Sequence, residues 1–176
     1  MNTVNSHKSK LAAYAAISAA LGTLLLTVGA YTGIGEFFWY FAASVCGLIT
    51  FGRKSVVCTA LSFVVCSSLS LLATGFNFIY LLPYLIFFGT YPIAMLIEMK
   101  FGVNKAVMTV LTLIWFNAAM YVLYLFTKLF VTDIPFLNDN IILIIFIGGS
   151  IVFFAYRFVM KRIHQKLECR FRKLIS

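Results

Sequence analysis

The sequence predicts an all-α polytopic transmembrane bundle of about six helices with both termini in the cytoplasm, and three observations predict it. Apolar residues make up 62% of the 176 residues and charged residues 11%, where a typical soluble domain carries about 25% charged. The apolar residues fall in blocks long enough to cross ~30 Å of hydrocarbon, which takes roughly 20 helical residues. Lys and Arg collect at alternate block ends, as expected where short cytoplasmic loops hold the excess of positive charge.

Residues 1–10 form a cytoplasmic lead-in whose Lys8 and Lys10 resemble the basic start of a signal peptide. The helix that follows is long, lacks a small-residue cleavage site and leads into more spans, which points to retention. Span 1 covers 11–31, and Gly33, Gly35 and Glu36 interrupt the apolar run before span 2, 37–51. Gly52, Arg53 and Lys54 close span 2. Span 3, 55–73, is rich in Ser, Thr and Cys and ends at the turn-forming run Thr74, Gly75, Phe76 and Asn77.

Span 4, 78–97, contains Pro83, Gly89 and Pro92. Proline removes a backbone donor and crowds the preceding turn, so this helix is expected to kink or break, its freed carbonyls taking partners inside the bundle. Such breaks line substrate sites in some transporters and are ordinary packing devices in other membrane helices. Glu98, Lys100, Asn104 and Lys105 precede span 5, 106–129. The polar loop VTDIPFLNDN leads to span 6, 141–159, and residues 160–176 form a basic amphipathic tail.

Orientation follows from the cations. With the N-terminus inside, the inner segments hold Lys8 and Lys10, Arg53 and Lys54, Lys100 and Lys105, and all seven basic residues from Arg157 onward, thirteen of the fourteen in the chain. The outer connections hold Glu36, Asp133 and Asp139, with Lys128 as the one exception. Merging or dropping a span scrambles this alternation. The location implied is a bacterial plasma membrane, crossed several times.

The same distribution accounts for the net charge of +9 without nucleic acid, because the cations flank spans instead of forming a folded basic face. Cys46, Cys58, Cys66 and Cys169 contain no CxxC pair, and three of them lie inside spans as small apolar residues, so neither disulfide nor metal site is expected. A Walker A loop, GxSxG, HExxH and any Cys/His ligand cluster are missing, and His7 and His164 sit in the terminal segments. The expectation is a protein that is not an enzyme and holds no cofactor.

Four features offer themselves for function. In span 1, Ala12, Ala16 and Ala20 recur every fourth residue, flanked by Ala15, Ser18, Ala19 and Gly22. Residues four apart share a helix face, so a second backbone can approach closely there, either a neighbouring span of this chain or a separate subunit. Glu36, Glu98 and Lys128 lie near span ends, where long side chains reach the headgroup layer, which argues against a buried carboxylate relay. Asn117, halfway along span 5, either bridges two helices or contacts a ligand.

Near the outer ends, Tyr31, Glu36, Trp39, Asn77, Tyr80, Tyr121, Tyr124 and Lys128 form the third feature, together with Tyr40 and Asp133. Aromatic residues at this depth belong to an interfacial belt, yet apolar walls with a few polar groups also suit a small-molecule pocket. With Asn117, these are the candidate substrate-binding residues. The fourth feature is the tail, where Met160, Ile163, Leu167, Phe171 and Leu174 alternate with basic residues. That pattern suits a helix lying on the anionic inner leaflet, or one docking a cytoplasmic partner.

In length, six spans, the Lys8 and Lys10 start and the Ala12, Ala16, Ala20 repeat, the chain resembles the substrate-binding S components of energy-coupling factor (ECF) transporters. The resemblance covers the whole chain as architecture. It implies that the alanine strip contacts a transmembrane coupling subunit, that two cytoplasmic ATPases supply energy, and that the bundle captures a vitamin-like nutrient near its outer face. Two other functions stand beside it: a membrane assembly or envelope scaffold, which needs no ligand pocket, and a flippase-like lipid carrier, which needs a lateral groove open to lipid. No function attaches to the segment from Tyr84 to Pro92.

Overall fold

The computed structural model describes residues 2–53, 55–128 and 135–175, with side chains over 9–51, 55–126 and 146–169, and every regular element in it is helical. The predicted all-α bundle is therefore the observed fold class. Helix α1 (Asn2–Thr32) ends where Gly33 and Gly35 take positive φ. Helix α2 (Glu36–Gly47) tightens into a 3-10 segment, Leu48–Arg53. With the 3-10 rise of ~2.0 Å per residue, this helical run extends ~30 Å.

Helix α3 (Val56–Ala73) is capped by Ser55, whose Oγ accepts from the Cys58 amide at 3.3 Å. Helix α4 (Phe78–Pro83) is capped in the same way by Asn77 Oδ1, 3.1 Å from the Tyr80 amide. A π segment, Tyr84–Phe88, joins α4 to α5 (Tyr91–Phe101), and the Gly89 amide reaches the Tyr84 carbonyl five residues back at 2.7 Å. The break expected in span 4 is thus a π segment between two prolines. Its carbonyls find partners as expected: Ile86 O accepts from Thr90 Oγ1 at 3.0 Å and from Trp115 Nε1 at 2.9 Å.

Helix α6 spans Lys105–Lys128 and α7 spans Pro135–Ile175. Four stretches, Ser9–Thr32, Val56–Ala73, Phe78–Phe101 and Lys105–Phe126, are long and apolar enough to cross a membrane. The chain is an integral membrane protein.

Helix α7 runs unbroken through the boundary drawn at residue 160. Met160 is fully buried, Ile163 and Leu167 pack against the core, and the His164 ring meets Phe51 edge-on at 5.2 Å. As far as Leu167, the apolar stripe of the tail therefore packs against the bundle itself. Phe171 and Leu174 lie outside the described side chains, as do Lys128, Asp133 and Asp139.

Lipid tails are as apolar as leucine, so helices here associate through close packing and polar contacts. The core shows both. Aromatic rings interlock around the π segment, Phe87 meeting Phe116 at 4.6 Å and Tyr91 meeting Tyr156 at 4.7 Å in edge-on geometry. Such pairs contribute ~0.5–1.5 kcal/mol beyond their area. On the other side of the core, α1 packs against α2 and α3 through small residues and hydroxyls.

Candidate functional site

Helix α1 presents two small-residue faces, and the chain uses one of them. Ala15, Ala19, Gly22, Leu26 and Gly29 are buried and follow one another at spacings of four and three, the seam of a helix pair. A Cβ added to Gly22 would lie 2.8 Å from Cys66 Sγ, and one added to Gly29 would lie 2.7 Å from the Trp39 ring. Close approach of α3 and α2 therefore needs glycine at both positions. Ser18 seals the same face: its Oγ donates to Cys46 O at 2.8 Å and accepts from Ser62 Oγ at 2.8 Å.

Ala12, Ala16 and Ala20 are all exposed, on a strip shared with Ile17, Leu24 and Val28. Of the two partners open to this strip from the sequence, the neighbouring span of the same chain is not seated on it among the described residues. The neighbouring spans occupy the adjacent seam instead.

The predicted outer cluster divides into two groups. In the first, Tyr31 is 77% exposed and donates to Ala73 O at 3.1 Å. Trp39 Nε1 donates to Ile34 O at 3.1 Å, and exposed Glu36 accepts from Tyr40 Oη at 3.4 Å. Tyr80 is buried and donates to Leu26 O at 2.9 Å, while Asn77 caps α4. These five residues tie the C-terminal ends of α1 and α3 to the N-terminal ends of α2 and α4, chiefly by side chains donating to backbone carbonyls.

The second group lies on α6. Asn117 is buried where α6 meets α7: its Nδ2 donates to Leu113 O at 3.0 Å, and a Cβ on Gly149 would stand 3.1 Å from its Oδ1. Its bond is thus to its own helix, and among the described residues its buried Oδ1 has no hydrogen-bond partner. Tyr121 is exposed, Tyr124 is half-buried, and Lys128 ends the helix with its side chain outside the described residues.

Sequence reasoning missed an ion cluster. Glu98 does not reach for the headgroups: it is 7% exposed and turned into the bundle, where Arg157, 6% exposed, donates from Nη2 to Oε1 at 3.1 Å and Oε2 at 2.9 Å. Lys161 Nζ adds a contact to Oε1 at 3.3 Å, and Arg157 Nη1 donates to Thr112 Oγ1 at 3.3 Å. One carboxylate thus faces two cations and joins α5, α6 and α7 at one end of the bundle. The signal available in sequence was an acid on the cation-rich side, directly after span 4. A charge in a loop and another at the end of span 6 gave no reason to pair residues 59 apart.

Between these regions lies a hydroxyl-lined seam. Thr50 and Thr59 share a hydrogen bond of 2.6 Å, Ser44 and Tyr156 one of 2.7 Å, and the Tyr84 hydroxyl lies 3.4 Å from Cys66 Sγ. A cavity lined by Ser18, Ser44, Thr59, Ser62, Cys66 and Tyr84 measures about 10 Å³, the room of about one water. Among the described residues no three His, Cys, Asp or Glu side chains converge as a metal-binding group. Comparison with family models, with curated proteins and with solved structures gives no match.

Proposed function

We propose that this protein is the membrane-embedded, ligand-binding subunit of an importer of the ECF type, crossing a bacterial plasma membrane six times with both termini cytoplasmic. One observation carries the reading: the Ala12, Ala16 and Ala20 strip is left exposed although α1 is otherwise firmly packed through its other face. A smooth strip on a membrane helix favours close approach of a second helix, and in this reading that helix belongs to a transmembrane coupling subunit driven by two ATPases. The inner-side cations and the Glu98 cluster, which fixes α5 and α7 at the same end, support the orientation.

A nutrient needs a pocket of ~300–1,000 Å³, whereas the interior cavity takes a single water. In this reading, capture proceeds by a parting of the outer ends. The turn around Gly33 and Gly35, where a Cβ on either glycine meets nothing within 4 Å, is the segment best placed to move.

The test is co-expression of the tagged chain with the coupling subunit and ATPases of its own host. Wild-type protein should retain them through purification, and a vitamin panel should give at least one ligand-dependent rise in Tm. Ala16→Leu with Ala20→Leu should abolish retention while the protein stays folded. Undiminished retention and uptake in that double variant would remove the docking assignment, and a flat response to the whole panel would favour the scaffold function.

A further inference from the structure

The geometry points to a lipid site on the side of the bundle: a groove between α5 and α6 that holds one acyl chain of an anionic phospholipid, with the phosphate between Lys100 and Lys105. The groove has a volume of about 420 Å³ and is walled almost wholly by apolar atoms, among them Ile93, Ala94 and Ile97 on α5 and Met108 and Trp115 on α6. Its neighbours on the outer surface of α6, Val107, Val110, Leu111 and Ile114, are all at least half exposed. An apolar trough among exposed apolar side chains, in a protein whose solvent is lipid, meets acyl chains.

Length selects a single leaflet. Along the π segment and α5 the lining runs from Phe87 to Ile97, a rise of ~15 Å, which is about half of the ~30 Å hydrocarbon core. Trp115 marks the deep end, held there by its bond to the Ile86 carbonyl that the π segment leaves free. The shallow end is the α5–α6 turn, made tight by Gly102 at φ +62°.

Charge selects the headgroup. Lys100 follows Ile97 by three residues and Ile93 by seven, and Lys105 precedes Met108 by three and Thr112 by seven. Those spacings put each lysine on the helix face that lines the groove. Both are exposed, and among the described residues neither belongs to an ion pair. The start of α6, where Asn104 Oδ1 accepts from the Ala106 amide at 3.0 Å, adds the partial positive charge of a helix N-terminus at the same place. Behind the wall, Thr112 contacts Arg157 of a cluster in which two cations face one carboxylate. Every nearby field favours an anion at the mouth of the groove.

The chain has two tryptophans, so Trp39→Phe leaves Trp115, at the deep end of the groove, as the sole tryptophan, excited selectively over the nine tyrosines. That variant, purified whole and reconstituted in phosphatidylcholine vesicles, is titrated with phosphatidylglycerol brominated on its acyl chains, and separately with brominated phosphatidylcholine. The anionic lipid should quench Trp115 at a roughly thirtyfold lower mole fraction, the preference expected of two lysines at a membrane surface at about 1 kcal/mol each. Lys100→Gln with Lys105→Gln should bring the two curves together, and Ala94→Phe, which fills the groove, should remove the saturable quenching.

Because Trp39 packs on Gly29, native mass spectrometry of the unsubstituted chain supplies a second readout. One anionic lipid should survive on the wild type and be lost from the lysine double variant. Equal quenching by the two lipids overturns the site, as does a preference that survives loss of both lysines. Weak quenching that ignores Ala94→Phe also overturns it, by showing the groove filled by protein. The site does not depend on the importer reading, since it lies on α5 and α6 and its readouts contain no coupling subunit.

Discussion

The α1–α3 side of the bundle and the α5–α7 side solve the same problem with opposite materials. Around α1, helices meet through alanine, glycine and hydroxyl groups, and the polar contacts are neutral, as in the Ser18 bridge to Cys46 O and Ser62. Around α7, helices meet through large rings and a buried charge cluster, Glu98 with Arg157 and Lys161. The difference teaches where each side tolerates change. Small-residue packing fails when atoms are added, and charge packing fails when one partner is removed.

The largest effect should come from the charged side. Glu98→Ala leaves Arg157 buried without its carboxylate and should cost ~3–5 kcal/mol, read as a lowered Tm in detergent or as reduced resistance to unfolding in bicelles. Glu98→Leu combined with Arg157→Met should recover most of that loss, because an apolar pair of similar volume avoids desolvating charge. A double variant as unstable as Glu98→Ala would mean that the cluster holds the fold by more than paired charge. Lys161→Gln, with a side chain 38% exposed, should cost at most ~1 kcal/mol.

On the small-residue side, Gly22→Leu adds atoms where even a Cβ would sit 2.8 Å from Cys66 Sγ. It should cost ~1–3 kcal/mol by overpacking, visible in the same unfolding assay. Ser18→Ala removes both of its side-chain bonds and should cost ~0.6 kcal/mol and no more than ~1.7, the range measured for interhelical hydrogen bonds in membranes. Smallest of all, Ala16→Leu with Ala20→Leu lies on the exposed face and should change stability by less than about 0.5 kcal/mol. A large loss there would show the face to be packed within the chain and would end the contrast between the two faces of α1.

Part of the architecture was legible because lipid imposes it: the four long apolar stretches, the glycine-rich turn before Glu36 and the broken fourth span sit where the residues indicate. Within span 1 the residues named the helix and not the face. Ala12, Ala16, Ala20 and Ala15, Ala19, Gly22 are both small-residue series, one position apart, and only packing reveals that the second is taken. The Glu98 cluster was illegible for a different reason. Its members stand in a loop-like stretch and at a span end, where charge is ordinarily solvated, and the pairing depends on how α5 and α7 cross. The tail's apolar stripe was visible, but a stripe does not say whether lipid or protein covers it, and Met160 to Leu167 are covered by protein.

The exposed face of α1 is the centre of the functional proposal, and site-specific crosslinking tests it most directly. A photo-reactive residue at Ala16, in cells that contain the coupling subunit and its ATPases, should give one major adduct with the coupling subunit. The same probe at Ala19, which is 1% exposed, should give adducts only within the chain. A coupling-subunit adduct from Ala19 and none from Ala16, or none from either, would contradict the assignment of this face.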